Sequence, residues 1–340
     1  QQTLTLYVRV RILHPLPKGS LESLRFQGFF LCRTRQGPGD AGDRANFRDS
    51  PQQPLVLPNR LRYNGRRVKK GRAPMDKGCE DMDQFRAKRG YICDMDGVIY
   101  HGNRLLPGVK EFVNWLYQEG KQFLFLTNNS GKTPRELQDK LARMGLEVDE
   151  KHFYTSALAT AEFIAAQQPG AKAYVIGEPG LYNALYDRGI TLSDVNPDYV
   201  VIGESASYNY DSICRAVHLV QKGARLIGCN SDLTGPTEDG LVPACRALVA
   251  PIEMATNQQA YFVGKPNPLM MRTGLRLLGV HSQEAAIIGD RMDTDIVAGI
   301  ETGLDTLLVL SGVTTREEMT RFPYRPRLVL NGVGDIPPAE

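Results

Sequence analysis

Tyr91-Ile92-Cys93-Asp94-Met95-Asp96-Gly97-Val98-Ile99-Tyr100 sets a short apolar run directly against two carboxylates and a glycine. Side chains two apart share one face of a strand, so Asp94 and Asp96 leave the strand end on the same side. Gly97 lets the chain turn away at once. Two like charges this close call for a cation between them, unless they merely shape a turn, a role that suits Asp and Gly equally well. Taken alone, the stretch leaves both readings open.

From Tyr91 onward, strand and helix signals alternate. Pro107 opens a helix whose Val109, Phe112, Val113 and Leu116 recur at helical spacing, and Gly120 closes it. Phe123-Leu124-Phe125-Leu126 reads as a buried strand running into Thr127-Asn128-Asn129-Ser130. Thr133-Pro134-Arg135-Glu136 is a capping box with proline at the first helical position, followed by Leu137, Leu141 and Met144 and stopped by Gly145. Further strands are expected at 173–176, 199–202, 226–229, 261–263, 285–288 and 306–310, with helices at 181–186, 213–222 and about 294–302. Strands separated by helices in this rhythm pair in parallel through crossovers, giving an α/β fold with a Rossmann-like parallel sheet.

Four of the strand ends carry polar groups of different kinds: Asp94/Asp96, Thr127/Asn128, Lys265, and Asp290 with Asp295. In an open parallel sheet ligands bind outside the carboxyl ends of the strands, so one site can gather all four. Singly, Thr127 can be a cap, Lys265 before Pro266 a turn residue and Asp290 a turn acid. Together they supply what phosphoryl transfer needs. One carboxylate can attack phosphorus and form an acyl-phosphate, and a second can shuttle the proton. A divalent cation with oxygen ligands offsets the clustered negative charge, while hydroxyl, amide and ammonium donors hold the phosphoryl oxygens.

Asp94-Met95-Asp96-Gly97-Val98, Leu126-Thr127-Asn128, Gly264-Lys265-Pro266 and Gly289-Asp290 with Thr294-Asp295 resemble, in order, the four motifs of the haloacid-dehalogenase superfamily. Residues 90–336 resemble its NagD-like class IIA phosphatases, down to Tyr154-Thr155-Ser156-Ala157, Asp194-Val195-Asn196-Pro197-Asp198 and Leu310-Ser311-Gly312-Val313. The resemblance implies Asp94 as the nucleophile and Asp96 as the general acid and base. It implies Mg²⁺ held by the Asp94 carboxylate, the Asp96 backbone carbonyl and Asp290, with Asp295 behind them. Thr127 and the Asn128 backbone would grip the phosphate, and Lys265 would neutralise it and position Asp94. Asp at the second position of the first motif sets the chain apart from members that cleave carbon–halogen or carbon–phosphorus bonds. Asp293 is left without a role.

The middle of the chain lies between two sets of functional strand ends, which suggests an insertion; the resemblance makes it an α/β cap. The expected domains are an extension over 1–84, a catalytic core over 85–169 plus 261–340, and the cap over 170–260. Substrates implied by the resemblance are ribonucleoside 5′-monophosphates first, with phosphoglycolate, pyridoxal phosphate or p-nitrophenyl phosphate as alternatives, and a homodimer is implied through the cap. The turn-rich stretch Asn230-Ser231-Asp232, then Gly235 to Gly240, reads as a plain loop. His101 and His218 read as surface or satisfied core histidines. A phospho-acceptor receiver also uses Asp, Mg²⁺, Thr and Lys, but it places the acidic pair first and the acceptor on a later strand.

The formal charge of +3 sums two unlike pieces: 19 Lys/Arg against 8 Asp/Glu in residues 1–90, and 22 against 30 in the remainder. Residues 1–84, rich in Pro, Gly, Gln and Arg, are expected to be disordered. The run Arg66-Arg67-Val68-Lys69-Lys70-Gly71-Arg72 is better read as a solvated tail than as a nucleic-acid patch, since no aromatic residues interleave it. The first methionine is Met75, which makes residues 1–74 a candidate upstream extension. Arg9 and Arg11 interrupt the first apolar stretch, so no signal peptide is expected. Six cysteines without metal spacing and no long apolar run favour a cytoplasmic protein with reduced thiols.

Overall fold

The computed structural model describes residues 77–237 and 240–338. The Met75 start, the basic run at 66–72 and most of the expected extension lie outside the described residues. Among the described residues, no helix is long and apolar enough to cross a membrane.

Two parallel sheets are built from one chain. The larger has six strands in the spatial order Leu328–Leu330, Asp305–Val309, Ala285–Gly289, Gly90–Cys93, Gln122–Thr127 and Phe153–Thr155. All five pairings are parallel. Gly90–Cys93 sits in the middle, with the strands that follow it in sequence on one side and the late strands on the other. That makes it the place where strand order reverses and a crevice opens at the carboxyl ends.

The alternation expected of a doubly covered strand is explicit in the packing. Ile92, Leu124, Leu126 and Ile287 face one buried cluster. Tyr91, Cys93, Phe123, Phe125, Ala286 and Ile288 face another. The helix Val109–Gln118 buries Val109, Phe112, Val113, Trp115 and Leu116. The helix Pro134–Arg143 begins on the capping box of Thr133 and Glu136 and buries Leu137 and Leu141.

The second sheet, with five strands in the order Tyr261–Phe262, Arg225–Gly228, Tyr199–Ile202, Lys172–Ile176 and Thr191–Leu192, is also parallel. Its last strand takes Tyr261 and Phe262, so the expected junction at 260/261 falls at the start of a strand of the inserted sheet. Between Gly228 and Tyr261 lie an antiparallel hairpin, Thr234–Thr237 with Gly240–Pro243, and the helix Cys245–Thr256.

Two local expectations differ from the structure. Lys77–Arg86 is helical, and Phe85 is fully buried with the Tyr91 hydroxyl donating to its carbonyl at 2.8 Å. The folded body therefore starts earlier than 85, because one aromatic anchor in a polar helix gives no periodic signal. The helix expected from about 294 is preceded by a widened turn, Met292–Ile296, before Val297–Thr302. Such turns are frequent at functional sites, and this one rotates Asp295 inward. Cys93, Cys229 and Cys245 are buried free thiols, and Cys214 is half-buried.

Candidate active site

Asp94/Asp96, Thr127/Asn128 and Asp290 stand at carboxyl ends of strands of the six-stranded sheet, whereas Lys265 follows Tyr261–Phe262 of the inserted sheet, so the expectation of one sheet carrying all four fails for the lysine although the crevice still collects it. Asp94 follows Gly90–Cys93 with its backbone N–H donating to the Ile288 carbonyl at 2.9 Å. Gly97 turns the chain at a φ of 79°, where a side chain would also collide with Asp290. The turn places the Tyr100 hydroxyl 3.1 Å from Asp96 Oδ2, to which it donates.

Lys265, 2 % exposed, donates from Nζ to Asp94 Oδ1 at 2.7 Å, to Asp295 Oδ1 at 2.8 Å and to the Leu126 carbonyl at 3.2 Å. Asp295 Oδ2 accepts from the Arg291 N–H at 3.1 Å. Asp290 Oδ2 accepts from the Val313 N–H at 2.7 Å, whereas its buried Oδ1 has no hydrogen-bond partner. Thr127 Oγ1 accepts from the Asn129 N–H at 3.1 Å.

Asp94, Asp290 and Asp295 bring one carboxylate oxygen each within 4.8 Å of one another. The donors are all oxygen, which suits a hard divalent cation. The partnerless Oδ1 of Asp290 is the kind of buried acceptor that a cation satisfies. Asp295 joins this cluster, but its two oxygens are already engaged by Lys265 and Arg291, so the free coordinating capacity lies with Asp94 and Asp290.

Burial pushes all these carboxyls upward. Asp295 rises to about 6, with Lys265 pulling it down and Asp94 pushing it up. Asp290 rises well above its ordinary value through burial and the neighbouring Asp94 and Asp295. Asp94 rises by burial against the pull of Lys265. Asp96 rises by burial against the pull of Lys140 and the Tyr100 hydrogen bond. Clustered acids of this kind are held ionised only by adjacent positive charge.

The crevice has a volume of about 530 Å³ and carries Asp94, Asp96, Thr127, Asn128, Lys265 and Asp290 on its lining. The inserted sheet contributes Glu204, Asp232 and the hairpin residues Thr234, Thr237 and Val242. The stretch expected to be a plain loop is therefore a structured wall of the site. Its sequence signal is Asp239-Gly240 ahead of Leu241-Val242, a hairpin dipeptide next to a strand-forming pair. Arg291, which also lines the crevice and pairs with Asp293 at 3.0 Å, has no distinguishing local signal. His101 and His218 are exposed, and His101 lies on the crevice wall.

A family model described as haloacid dehalogenase-like hydrolase matches residues 91–191, and one described as HAD-hydrolase-like matches 262–336. The chain is 44% identical to dihydroxyacetone phosphatase of Corynebacterium glutamicum, over 72% of this chain and 90% of that protein. It is 42% identical to the ribonucleotide monophosphatase NagD of Escherichia coli, over 73% of this chain and 98% of that protein. The solved structure of NagD from E. coli K-12 superimposes with a TM-score of 0.70 at 42% identity, covering 74% of this chain and 99% of that one. With the central Asp-x-Asp strand, the buried lysine and the late acidic pair in one crevice beneath an inserted sheet, the chain belongs to the haloacid dehalogenase-like hydrolases as a NagD-like class IIA phosphatase, a phosphoric monoester hydrolase acting on small phosphorylated substrates.

Proposed function

We propose that the protein is a Mg²⁺-dependent phosphomonoesterase that works through an aspartyl-phosphate on Asp94, with ribonucleoside 5′-monophosphates as its substrates. The observation that carries this reading is the placement of Asp94: its Oδ1 is fixed by Lys265 at 2.7 Å, at the strand end where the sheet order reverses, with Asp96 two residues on. Fixing one oxygen leaves the other to attack.

Asp94 Oδ2 attacks phosphorus as the bond to the leaving oxygen breaks, and Asp96 delivers its proton to that oxygen. Asp96, now a carboxylate, then takes a proton from water as the water oxygen attacks phosphorus. The Asp94–phosphorus bond breaks and inorganic phosphate leaves. The raised Asp96 carboxyl suits a group that must begin protonated, and Tyr100 fixes its orientation. Thr127 and the Asn128 backbone hold the phosphoryl oxygens, and the Lys265 charge neutralises them while its three donors position Asp94 and Asp295. Asp94, the Asp96 carbonyl and Asp290 would hold Mg²⁺, with Asp295 positioning Lys265 behind them. When bound, the ion supplies charge neutralisation at the phosphoryl group.

Residues 77–169 with 263–338 act as the catalytic body and 170–262 as the cap that contacts the leaving group and excludes water. A crevice of about 530 Å³ accommodates a nucleotide, lying within the roughly 300–1,000 Å³ usual for small-molecule sites. A triose phosphate, the substrate named for the C. glutamicum relative, would fill it less completely. A cytoplasmic homodimer completes this reading, and sedimentation of the full chain tests its assembly state.

The decisive experiment is a Mg²⁺-dependent phosphate-release screen over nucleoside monophosphates, dihydroxyacetone phosphate, phosphoglycolate, pyridoxal phosphate and p-nitrophenyl phosphate. Asp94→Asn should lower turnover by at least about a thousandfold, as loss of a covalent nucleophile does. Wild-type turnover in that variant would sink the nucleophile assignment, and a higher kcat/KM for triose phosphate than for any nucleotide would sink the substrate assignment.

A further inference from the structure

The loop that follows the strand Gln122–Thr127 is held from the cap side as much as from the core. Asn128 uses its side-chain amide in full: Oδ1 accepts from the Lys265 N–H at 2.7 Å, and Nδ2 donates to the Lys265 carbonyl at 3.1 Å. The second Nδ2 proton goes to Asp232 Oδ2 at 3.0 Å. The Asn128 carbonyl accepts from Ser156 Oγ at 2.5 Å and from Asn230 Nδ2 at 2.6 Å. Asn230 is fixed in turn by Glu204 Oε1 at 2.6 Å and by the Asp232 N–H at 3.1 Å. Glu204 Oε2 accepts from the Ser130 N–H at 3.1 Å and from the Ser130 hydroxyl.

Three residues of the inserted segment thus fasten positions 128 and 130 of the loop. Asn128 is 8 % exposed, and Ser130 and Asn230 are fully buried, so water cannot readily replace the lost partners. Asp232 Oδ1 is buried and partnerless while Oδ2 stays on Asn128. The hydrogen bond from Asn128 is therefore the one that orients this carboxylate.

We propose that Asp232 and Glu204 are positioning residues for the phosphate grip, so that affinity for the phosphoryl group itself depends on the cap side of the crevice. The proposal rests on the reading of Thr127 and Asn128 as phosphate-binding residues. It separates two roles that a cap residue can have. A residue that touches only the leaving group is silent towards inorganic phosphate, which has none, whereas a residue that orients Asn128 affects inorganic phosphate and every ester alike.

The test is inhibition of the full-length Mg²⁺-loaded enzyme by inorganic phosphate, alongside kcat/KM for p-nitrophenyl phosphate and a nucleoside monophosphate. Asp232→Ala should raise the phosphate Ki by roughly tenfold, the scale of one buried hydrogen bond, and lower both kcat/KM values by a similar factor. Asp232→Asn should recover the Ki to within about threefold, because its amide oxygen still accepts from Asn128. Glu204→Gln should raise the Ki without such recovery, since Asn230 and Ser130 donate to different oxygens of the carboxylate and the amide replaces one of these with an NH2 donor.

A wild-type phosphate Ki in Asp232→Ala, with kcat/KM reduced for one ester alone, would overturn the proposal. So would an Asp232→Asn variant as damaged as the alanine, which would assign the effect to charge. If the alanine variant does not fold, Glu204→Gln carries the same test, and an unchanged Ki there is equally fatal. The covalent mechanism fails separately, through an active Asp94→Asn enzyme, whatever the phosphate Ki of the Asp232 variants.

Discussion

Lys265 lies fully enclosed between Asp94 and Asp295, one ammonium serving two carboxylates, while Asp290 stands close by with a free oxygen. The local balance is negative, and this gives the site a signature in stability as well as in catalysis. Burial raises Asp295 to about 6 from an ordinary aspartate value of 3.8, and Asp290 is raised in the same direction. A carboxyl whose folded value is raised favours the fold in its protonated form. Its contribution is full below about pH 4 and is lost as pH rises through about 6. Metal-free protein should therefore lose part of its stability from this cluster between pH 4 and 6. Mg²⁺, which competes with those protons for the same oxygens, should raise Tm more at pH 7.5 than at pH 5. Thermal unfolding with and without Mg²⁺ at the two pH values checks this; an equal increment at both would mean that the cation does not bind these carboxylates.

The elements that were legible in the sequence are those whose signal is local. The strand Gln122–Thr127, the capped helix Pro134–Arg143 and the helix Val109–Gln118 each follow from period, cap or breaker within a dozen residues. The site acids were legible for the same reason, since each is tied to a strand end. Asp232 and Glu204 were not, because their partners lie far along the chain: Asn128 is 104 residues from Asp232, and Ser130 is 74 from Glu204. No window of sequence holds both halves of such a contact.

The junction that brings these halves together is Gly264. A methyl group there would stand 2.7 Å from both the Cys229 carbonyl and Asn128 Oδ1, and 2.8 Å from Asn230 Cβ. One of these is backbone, so the alanine cannot be absorbed by a rotamer change. Gly264→Ala should cost about 1–3 kcal/mol of stability, as overpacking does. It should also lower kcat/KM by roughly 10- to 100-fold through displacement of Asn128 and Lys265. Urea unfolding and steady-state kinetics read the two effects, and unaltered kinetics would show that the junction tolerates the shift.

At the scale of the whole molecule, the helix Lys77–Arg86 closes the catalytic body by joining the beginning of the described chain to its end. Arg86 Nε donates to the Ile336 carbonyl at 2.6 Å, and Arg327 reaches Asp81 at 3.5 Å. Phe85 packs edge-on against Tyr91 with ring centroids 5.7 Å apart, directly beneath the strand that carries Asp94. The exposed ion pairs contribute little, whereas the buried ring contributes much. This sets where a truncation begins to matter. A chain starting at residue 75 retains the whole helix and should keep kcat/KM within about twofold of the full chain, because every residue that lines the crevice lies beyond it. A chain starting at residue 88 loses Phe85 and should be destabilised by about 3–5 kcal/mol, the range for deleting a buried aromatic side chain. Phe85→Ala in the full chain should reproduce most of that loss, since the ring, not the charges around it, is the anchor. Denaturant midpoints for the three variants decide the matter: equal midpoints for the 75 and 88 starts would show that the helix is not part of the cooperative fold.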